Sequence, residues 1–336
     1  MACPAPPVPP YTEAVTALES IAARFASHPG LAAKAALRLI PGILGPTDWV
    51  SGPGDDTAAI ASDGGFLLAA GEGMFPPFVA ADPYGAGVAS VVANVNDVAA
   101  MGGRVVGLAN TVIGPEAVLS EALSGMRFAC DLYGVPMVGG HLSVWDGPAS
   151  VSAFIVGKAS TLLSSRHAAP GQVILAAFCL EGRLRGDFPY FSSVTSRGAR
   201  LGGDVGVLPA VAEAGCCVAA KDVSMAGLLG SLAMLLEATG AGAVVDLACV
   251  PLPHGVDLEP WLFAFPTFGF LLCSPPSRAG ECREAFRARG LACEVIGAIE
   301  PGGCLRVRLG AEKATLLDFA TATVTGLGDS GETRPA

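Results

Sequence analysis

Between Asp82 and Arg104 the chain carries a single charged residue, Asp97, in a segment built almost wholly of Gly, Ala, Ser, Val and Asn. Val88, Val91, Val92, Val95 and Val98 recur at helical spacing, and Gly102-Gly103 closes the run. Ser90, Asn94 and Asp97 share the opposite face. A helix of such small side chains lets its neighbours approach the backbone closely, so this segment must pack closely. A lone carboxylate there is costly unless it meets a partner. Asp97 is therefore the first candidate for a functional residue.

The rest of the chain is punctuated into short elements. Residues 11–40 have the composition and spacing of a helical arm, stopped by Pro41-Gly42, and the first ten residues read as a proline-rich tail. Two apolar runs, 57–60 and 66–70, flank a Ser-Asp-Gly-Gly turn and read as a hairpin. A strand over 105–113, a helix over 116–133 ended by Gly134, and strands over 135–138 and 151–156 follow. This alternation implies an α/β or α+β domain over 49–160. The polar stretch ending at Pro170-Gly171 separates it from a second domain over 168–325. That half reads as a strand over 173–178, an Arg/Gly-rich loop over 181–204, a strand over 217–220, a helix over 225–239, strands near Val244 and Phe268, and an exposed helix over 281–289. Residues 1–48 form tail and arm, and 326–336 a second tail.

Composition removes several classes of function. Hydrophobic residues make up 51% and charged residues 15% of the chain, which excludes disorder; the longest strongly apolar run, 225–236, is too short to span a bilayer. A net charge of −10 argues against nucleic acid or an anionic membrane as partner. The ten cysteines are scattered without zinc spacing, consistent with a reducing cytoplasm, and Cys216-Cys217 reads as two small core residues. Walker, dinucleotide-fingerprint, zincin and nucleophile-elbow motifs are all absent.

What chemistry is left is acidic. Gly54-Asp55-Asp56 places two carboxylates on a glycine-containing turn suited to a divalent cation. Asp222 stands just before the apolar helix over 225–239, where a carboxylate either caps the helix or orders metal and phosphate. Gly139-Gly140-His141 follows a buried strand and offers backbone N–H groups to an anion. Lys221, beside Asp222, is a candidate phosphate contact and, with His141, a candidate catalytic residue. Arg183, Arg185 and Arg197 in the 181–204 loop are candidates for holding an anionic substrate.

In their order these segments resemble the superfamily of aminoimidazole ribonucleotide (AIR) synthetase, selenophosphate synthetase, thiamine monophosphate kinase and the hydrogenase-maturation carbamoyl dehydratase. Gly-Asp-Asp-Thr-Ala-Ala-Ile (54–60) is similar to its Gly-Asp-Asp-Ala-Ala-Val, and Asn-Asp-Val-Ala-Ala-Met-Gly-Gly (96–103) to its Asn/Ser-Asp-x-x-Ala-Met-Gly helix. Val-Gly-Gly-His (138–141) and Lys-Asp-Val-Ser-Met-Ala-Gly-Leu-Leu-Gly (221–230) have counterparts too. The resemblance implies a two-domain fold: an N-terminal α/β domain whose sheet forms a barrel across a homodimer, and a C-terminal α+β domain closing over ATP. It implies Mg2+ on Asp56, Asp97 and Asp222, with Asp55 and Glu72 beside them, and nucleotide contacts from Asn96, Gly139, Gly140 and His141. The implied activity is phosphorylation of an oxygen of a small-molecule substrate, anionic if the loop arginines hold it.

Departures from the pattern leave two alternatives. Ala70-Gly71-Glu72 stands where relatives carry Thr-Thr-Asp, and Leu142 where they carry Thr; a nucleotide-binding or assembly subunit without chemistry is one reading. The segment from Asp82-Pro83-Tyr84 and that from Gly240 to Pro251 are most like selenophosphate synthetase, the other reading, but its reactive Cys or selenocysteine followed by Lys is missing. Cys3, in the proline tail, does not replace it.

Overall fold

The computed structural model describes residues 16–44, 54–186 and 188–327. The arm begins at Thr16, whose hydroxyl accepts from Glu19 N at 3.2 Å while Glu19 Oε2 accepts from Thr16 N at 2.8 Å. This reciprocal cap opens α1 (Ala17–Ala26). His28 caps α2 (Pro29–Lys34), and a 3-10 turn, Ala35–Arg38, leads into α3 (Leu39–Leu44). The helical arm expected over 11–40 is, from residue 16 on, a series of short helices, because Pro29 has no N–H with which to extend the ladder of α1.

The first sheet is built from the hairpin β1 (Ala58–Ser62) and β2 (Gly65–Gly73), then, after α4 (Pro76–Ala81) and α5 (Pro83–Ala100), β3 (Arg104–Gly114). α6 (Glu116–Tyr133), β4 (Met137–Val144) and β5 (Ser150–Ala159) complete it. The order is β1-β2-β5-β3-β4, with β3 and β4 parallel and the other pairs antiparallel. Its inner face, with Leu68, Leu108, Val112, Val151 and Ile155 buried, packs on α5 and α6. The small residues of α5 are used as expected: a Cβ on Gly87 would overlap the Ala122 carbonyl of α6, and one on Gly125 the Tyr84 carbonyl. Among the described residues the sheet is open, ending at β1 and β4, and does not close into a barrel on its own.

The second half comprises β6 (Val173–Phe178), β7 (Arg183–Leu184), β8 (Tyr190–Ser192), α7 (Val194–Arg197), α8 (Arg200–Val205), α9 (Val207–Glu213), β9 (Ala219–Asp222) and α10 (Gly227–Glu237). It continues through β10 (Gly242–Asp246), α11 (Leu258–Leu262), β11 (Phe265–Pro266), β12 (Gly269–Ser274), α12 (Ala279–Arg287), β13 (Ala292–Glu300), β14 (Cys304–Leu309) and β15 (Glu312–Asp318). A seven-stranded mixed sheet runs β15-β14-β10-β13-β6-β12-β9. Both its faces are covered: Leu175 and Ala177 of β6 join the core under α5 and α6, whereas Ile174 and Ala176 join the core of α10, α11 and the arm. Central strands buried on both sides read as continuous apolar runs, which is why β6 and β12 are so legible.

The 181–204 segment is not a loop. It folds into β7, β8, α7 and α8 around Arg197, whose guanidinium is buried at 1% side-chain exposure between Asp204 and Glu181. Arg197 Nε donates to Asp204 Oδ2 at 2.6 Å, and its remaining donors reach Glu181 and the Arg289 carbonyl. A guanidinium satisfied in this way holds the fold together, so Arg197 is withdrawn as a substrate contact. Arg185 lies 3.5 Å from Asp82, across the seam between the two halves, and Arg183 is exposed on β7. No helix among the described residues is long and apolar enough to cross a membrane.

Candidate metal and nucleotide site

Three elements converge where the first sheet meets the second. The turn before β1 carries Asp56, the last two turns of α5 carry Asp97, and the end of β9 carries Asp222. One carboxylate oxygen from each lies within 4.8 Å of the others. Asp97 and Asp222 are buried, at 8% exposure each. The strand expected over 217–220 begins and ends two residues later, so Lys221 and Asp222 belong to β9 itself and not to the approach to α10.

Hydrogen bonds fix Asp56. Its Oδ2 accepts the Asp222 backbone N–H at 3.0 Å, and its Oδ1 is paired with the Lys221 ammonium, both side chains of that pair being nearly enclosed. Lys221, proposed from sequence as a phosphate contact, is thus paired with Asp56. Asp55 is turned elsewhere: its carboxylate accepts from Ser164 Oγ at 2.5 Å and from Ser165 N at 2.7 Å, in the segment linking the halves. Asp55, expected beside the three aspartates, anchors the linker and is not one of the clustered three. Ser164 and Ser165 had no sequence signal beyond a polar stretch.

Glu72 occupies the helix-facing row of β2, in register with Ala153 of β5, which is itself opposite Asn110 of β3. Strand alternation therefore aims it at α5 and the aspartates. It is not one of the three clustered carboxylates, but its charge and that of Asp56 act on each other. Asn96, next to Asp97, is buried and ties α5 to the second half through Nδ2, which donates to the Thr267 carbonyl at 3.0 Å. Its Oδ1 has no partner among the described residues, the kind of buried polar atom that a ligand or water satisfies.

In the cluster the acids outnumber the cations that face them. Burial, then Asp222, Asp56 and Glu72, push Asp97 well above the usual carboxyl range. Burial and the neighbouring Asp56 raise Asp222 to about 7, against the opposing charges of Lys221 and Lys34. Glu72 is raised too, chiefly by burial. Burial alone would lower the Lys221 ammonium, but Asp56 and Asp222 outweigh it and hold its pKa above the ordinary value. Oxygen-only donors, clustered and short of positive charge, fit a hard divalent cation such as Mg2+, which also keeps phosphate oxygens in its shell.

The β4 residues are not brought to this cluster. Gly73, Ser152, Thr111 and His141 form one row across β2, β5, β3 and β4. Three strand spacings, roughly 14 Å, therefore separate His141 from β2. Gly139, Gly140 and His141 are exposed, and the His141 Nε2 lies 3.2 Å from Ser143 Oγ.

Residues 54–159 match the N-terminal domain of AIR synthase related proteins, and residues 204–310 match the C-terminal domain. An uncharacterized protein of Synechocystis sp. is 36% identical over 281 residues, covering 82% of this chain and 87% of its own. A selenide, water dikinase of Myxococcus xanthus is 26% identical over 329 residues, covering 81% of this chain and 92% of its own. Among solved structures, T. maritima PurL complexed with ADP superposes with a TM-score of 0.69 at 21% identity, over 84% of this chain. This chain spans 48% of that PurL chain. AaThiL complexed with AMPPCP and TMP superposes with a TM-score of 0.65 at 20% identity, over 83% of this chain and 93% of its own.

Proposed function

We propose that this chain, which belongs to the AIR synthase-related family, is an ATP-dependent enzyme that holds Mg2+ on Asp56, Asp97 and Asp222 and phosphorylates an oxygen of a small substrate. The observation that carries the reading is the convergence of three carboxylates from three separate elements, buried together and short of positive charge. Relatives support the nucleotide: the PurL and ThiL structures that share the fold were solved with ADP and with AMPPCP.

In this reading Mg2+ supplies charge neutralisation at the phosphates being separated. The chain's own residues set the geometry. Lys221 and the Asp222 backbone N–H hold Asp56 in one orientation, and the α5–β5 contact, where Asn94 Nδ2 donates to the Ala153 carbonyl at 3.1 Å, holds the helix that carries Asp97. Burial at the seam excludes water and strengthens every charge interaction there. Glu72 supports catalysis over a purely structural subunit, because the Ala70-Gly71-Glu72 departure keeps a carboxylate aimed at the cluster. Arg183, exposed on β7, is the loop arginine best suited to an anionic acceptor.

Asp97→Asn and Asp222→Asn test the site. Each is expected to weaken Mg-dependent ATP binding by at least about tenfold, roughly 1.4 kcal/mol, in isothermal titration calorimetry, with the fold intact by circular dichroism. Unchanged affinity in both variants would overturn the assignment.

A further inference from the structure

The three clustered carboxylates come from elements far apart in sequence, and neither the turn, the helix nor the strand alone sets the distances between them. One short segment touches all three elements. Leu163, Ser164 and Ser165 lie in the linker that follows β5, and each is buried. Leu163 N donates to the Met101 carbonyl at 3.2 Å, and Met101 N in turn donates to the carbonyl of Asp97 itself at 3.3 Å. The Leu163 carbonyl accepts from Ala220 N at 3.0 Å, two residues before Asp222 on β9. Ser164 Oγ and Ser165 N donate to the Asp55 carboxylate at 2.5 and 2.7 Å, and Asp55 immediately precedes Asp56.

These contacts are of two kinds. Those of Leu163 are main-chain bonds that most residues could make. Those of Asp55 depend on side chains, a carboxylate at one end and a hydroxyl at the other. A hydrogen bond to an ionised group is stronger than one between neutral groups, and a buried one is costly to leave unmade. Asp56 is thus held from two directions: its carboxylate by Lys221 and the Asp222 N–H, and its backbone, through Asp55, by the linker. Mg2+ demands near-octahedral geometry, so displacement of one ligand oxygen is felt in affinity.

We propose that Asp55 and Ser164 are positioning residues, a clasp between linker and turn that sets the separation of Asp56 from Asp97 and Asp222 and so tunes the affinity for the divalent cation. This rests on the Mg-ATP reading above. Asp55 acts through the linker and does not touch the metal.

The test separates a clasp from a ligand. Mn2+ alone is titrated into full-length protein and followed by electron paramagnetic resonance. Ser164→Ala removes no carboxylate, yet it is expected to weaken Mn2+ binding about tenfold and to change the zero-field splitting of the bound ion. Asp55→Asn keeps an acceptor for Ser165 N and gains an amide that donates to Ser164 Oγ, so affinity is expected to stay within about threefold, whereas Asp97→Asn loses at least about tenfold. Gln172→Ala removes two hydrogen bonds inside the linker and none to the elements that carry the carboxylates, and is expected to change neither affinity nor spectrum. Ser164→Ala with wild-type affinity and spectrum overturns the proposal and leaves the aspartate site standing. Gln172→Ala that weakens the metal as much as Ser164→Ala also overturns it, since loss of linker order would then account for both. If Ser164→Ala does not fold, Asp55→Asn decides: retained affinity supports the clasp, and a loss as large as that of Asp97→Asn makes Asp55 a ligand and overturns it. Asp97→Asn that binds Mn2+ as tightly as the wild type overturns the metal assignment itself, and this proposal with it.

Discussion

Lys221 shows how far a single residue's role can depart from its local sequence. Beside Asp222 in a short strand it looks like a surface lysine or a phosphate contact, yet its ammonium is buried against Asp56. Removing one partner of a buried pair leaves the other charge uncompensated, and the neighbouring acids aggravate this. Lys221→Met is therefore expected to lower unfolding stability by about 3 kcal/mol in urea without metal, with part of the loss recovered when Mg2+ supplies the missing charge. A variant equally stable with and without Mg2+, and matching the wild type, would refute this role. Asp97 was legible because one charge in a helix of small residues demands an explanation. The orientation of Asp55 was not legible, because its partners, Ser164 and Ser165, lie about a hundred residues away and carry no signal in the turn itself.

At the scale of elements, legibility followed the range of the forces involved. α6 and β6 fall on the residues expected, since one ends at a left-handed Gly134 and the other is an apolar run bounded by Pro170-Gly171. The 181–204 segment was missed because its order comes from Arg197, Asp204 and Arg289, an ion-paired knot tied to the end of α12. β13, β14 and β15 went unread because they are partly buried and carry interspersed charges. The arm offers a test of its own docking. His28 Nδ1 accepts the Gly30 N–H at 3.1 Å, and burial, with Arg24 nearby, lowers the imidazole pKa. The folded arm therefore binds fewer protons than the unfolded one as pH falls through the ordinary histidine range, so this contribution to stability is present above that range and lost below it. Hydrogen exchange of α1 and α2 should show local opening increasing between about pH 7.5 and about pH 5, after correction for intrinsic rates. His28→Ala should abolish the pH dependence; a pH dependence that persists in His28→Ala would assign it to another group.

At the scale of the whole molecule, the outer face of the first sheet is left uncovered by the described residues of a single chain. The inner rows of the first sheet are buried against α5 and α6, but the outer rows present Ile60, Phe154 and Val156 at 55%, 49% and 46% exposure. Phe154 lies over Gly71, where a side chain would collide with its ring. A broad apolar sheet face of this kind marks an interface. We propose that it meets its own copy across a two-fold axis, since in such a pairing the same patch serves both subunits. Phe154→Glu then sets like charges against each other across the axis while leaving the inner core untouched. Sedimentation is expected to give a dimer for the wild type and a monomer for the variant, with little change in monomer fold. A wild type that sediments as a monomer at micromolar concentration would remove the interface. The variant also decides what becomes of His141, which lies in the same outward row as Gly73. If the monomeric variant keeps full nucleotide affinity, the site is confined to one chain and β4 takes no part in it. If affinity falls with the dimer, Gly139, Gly140 and His141 reach a nucleotide through the partner, because within one chain the breadth of the sheet keeps them from the aspartates.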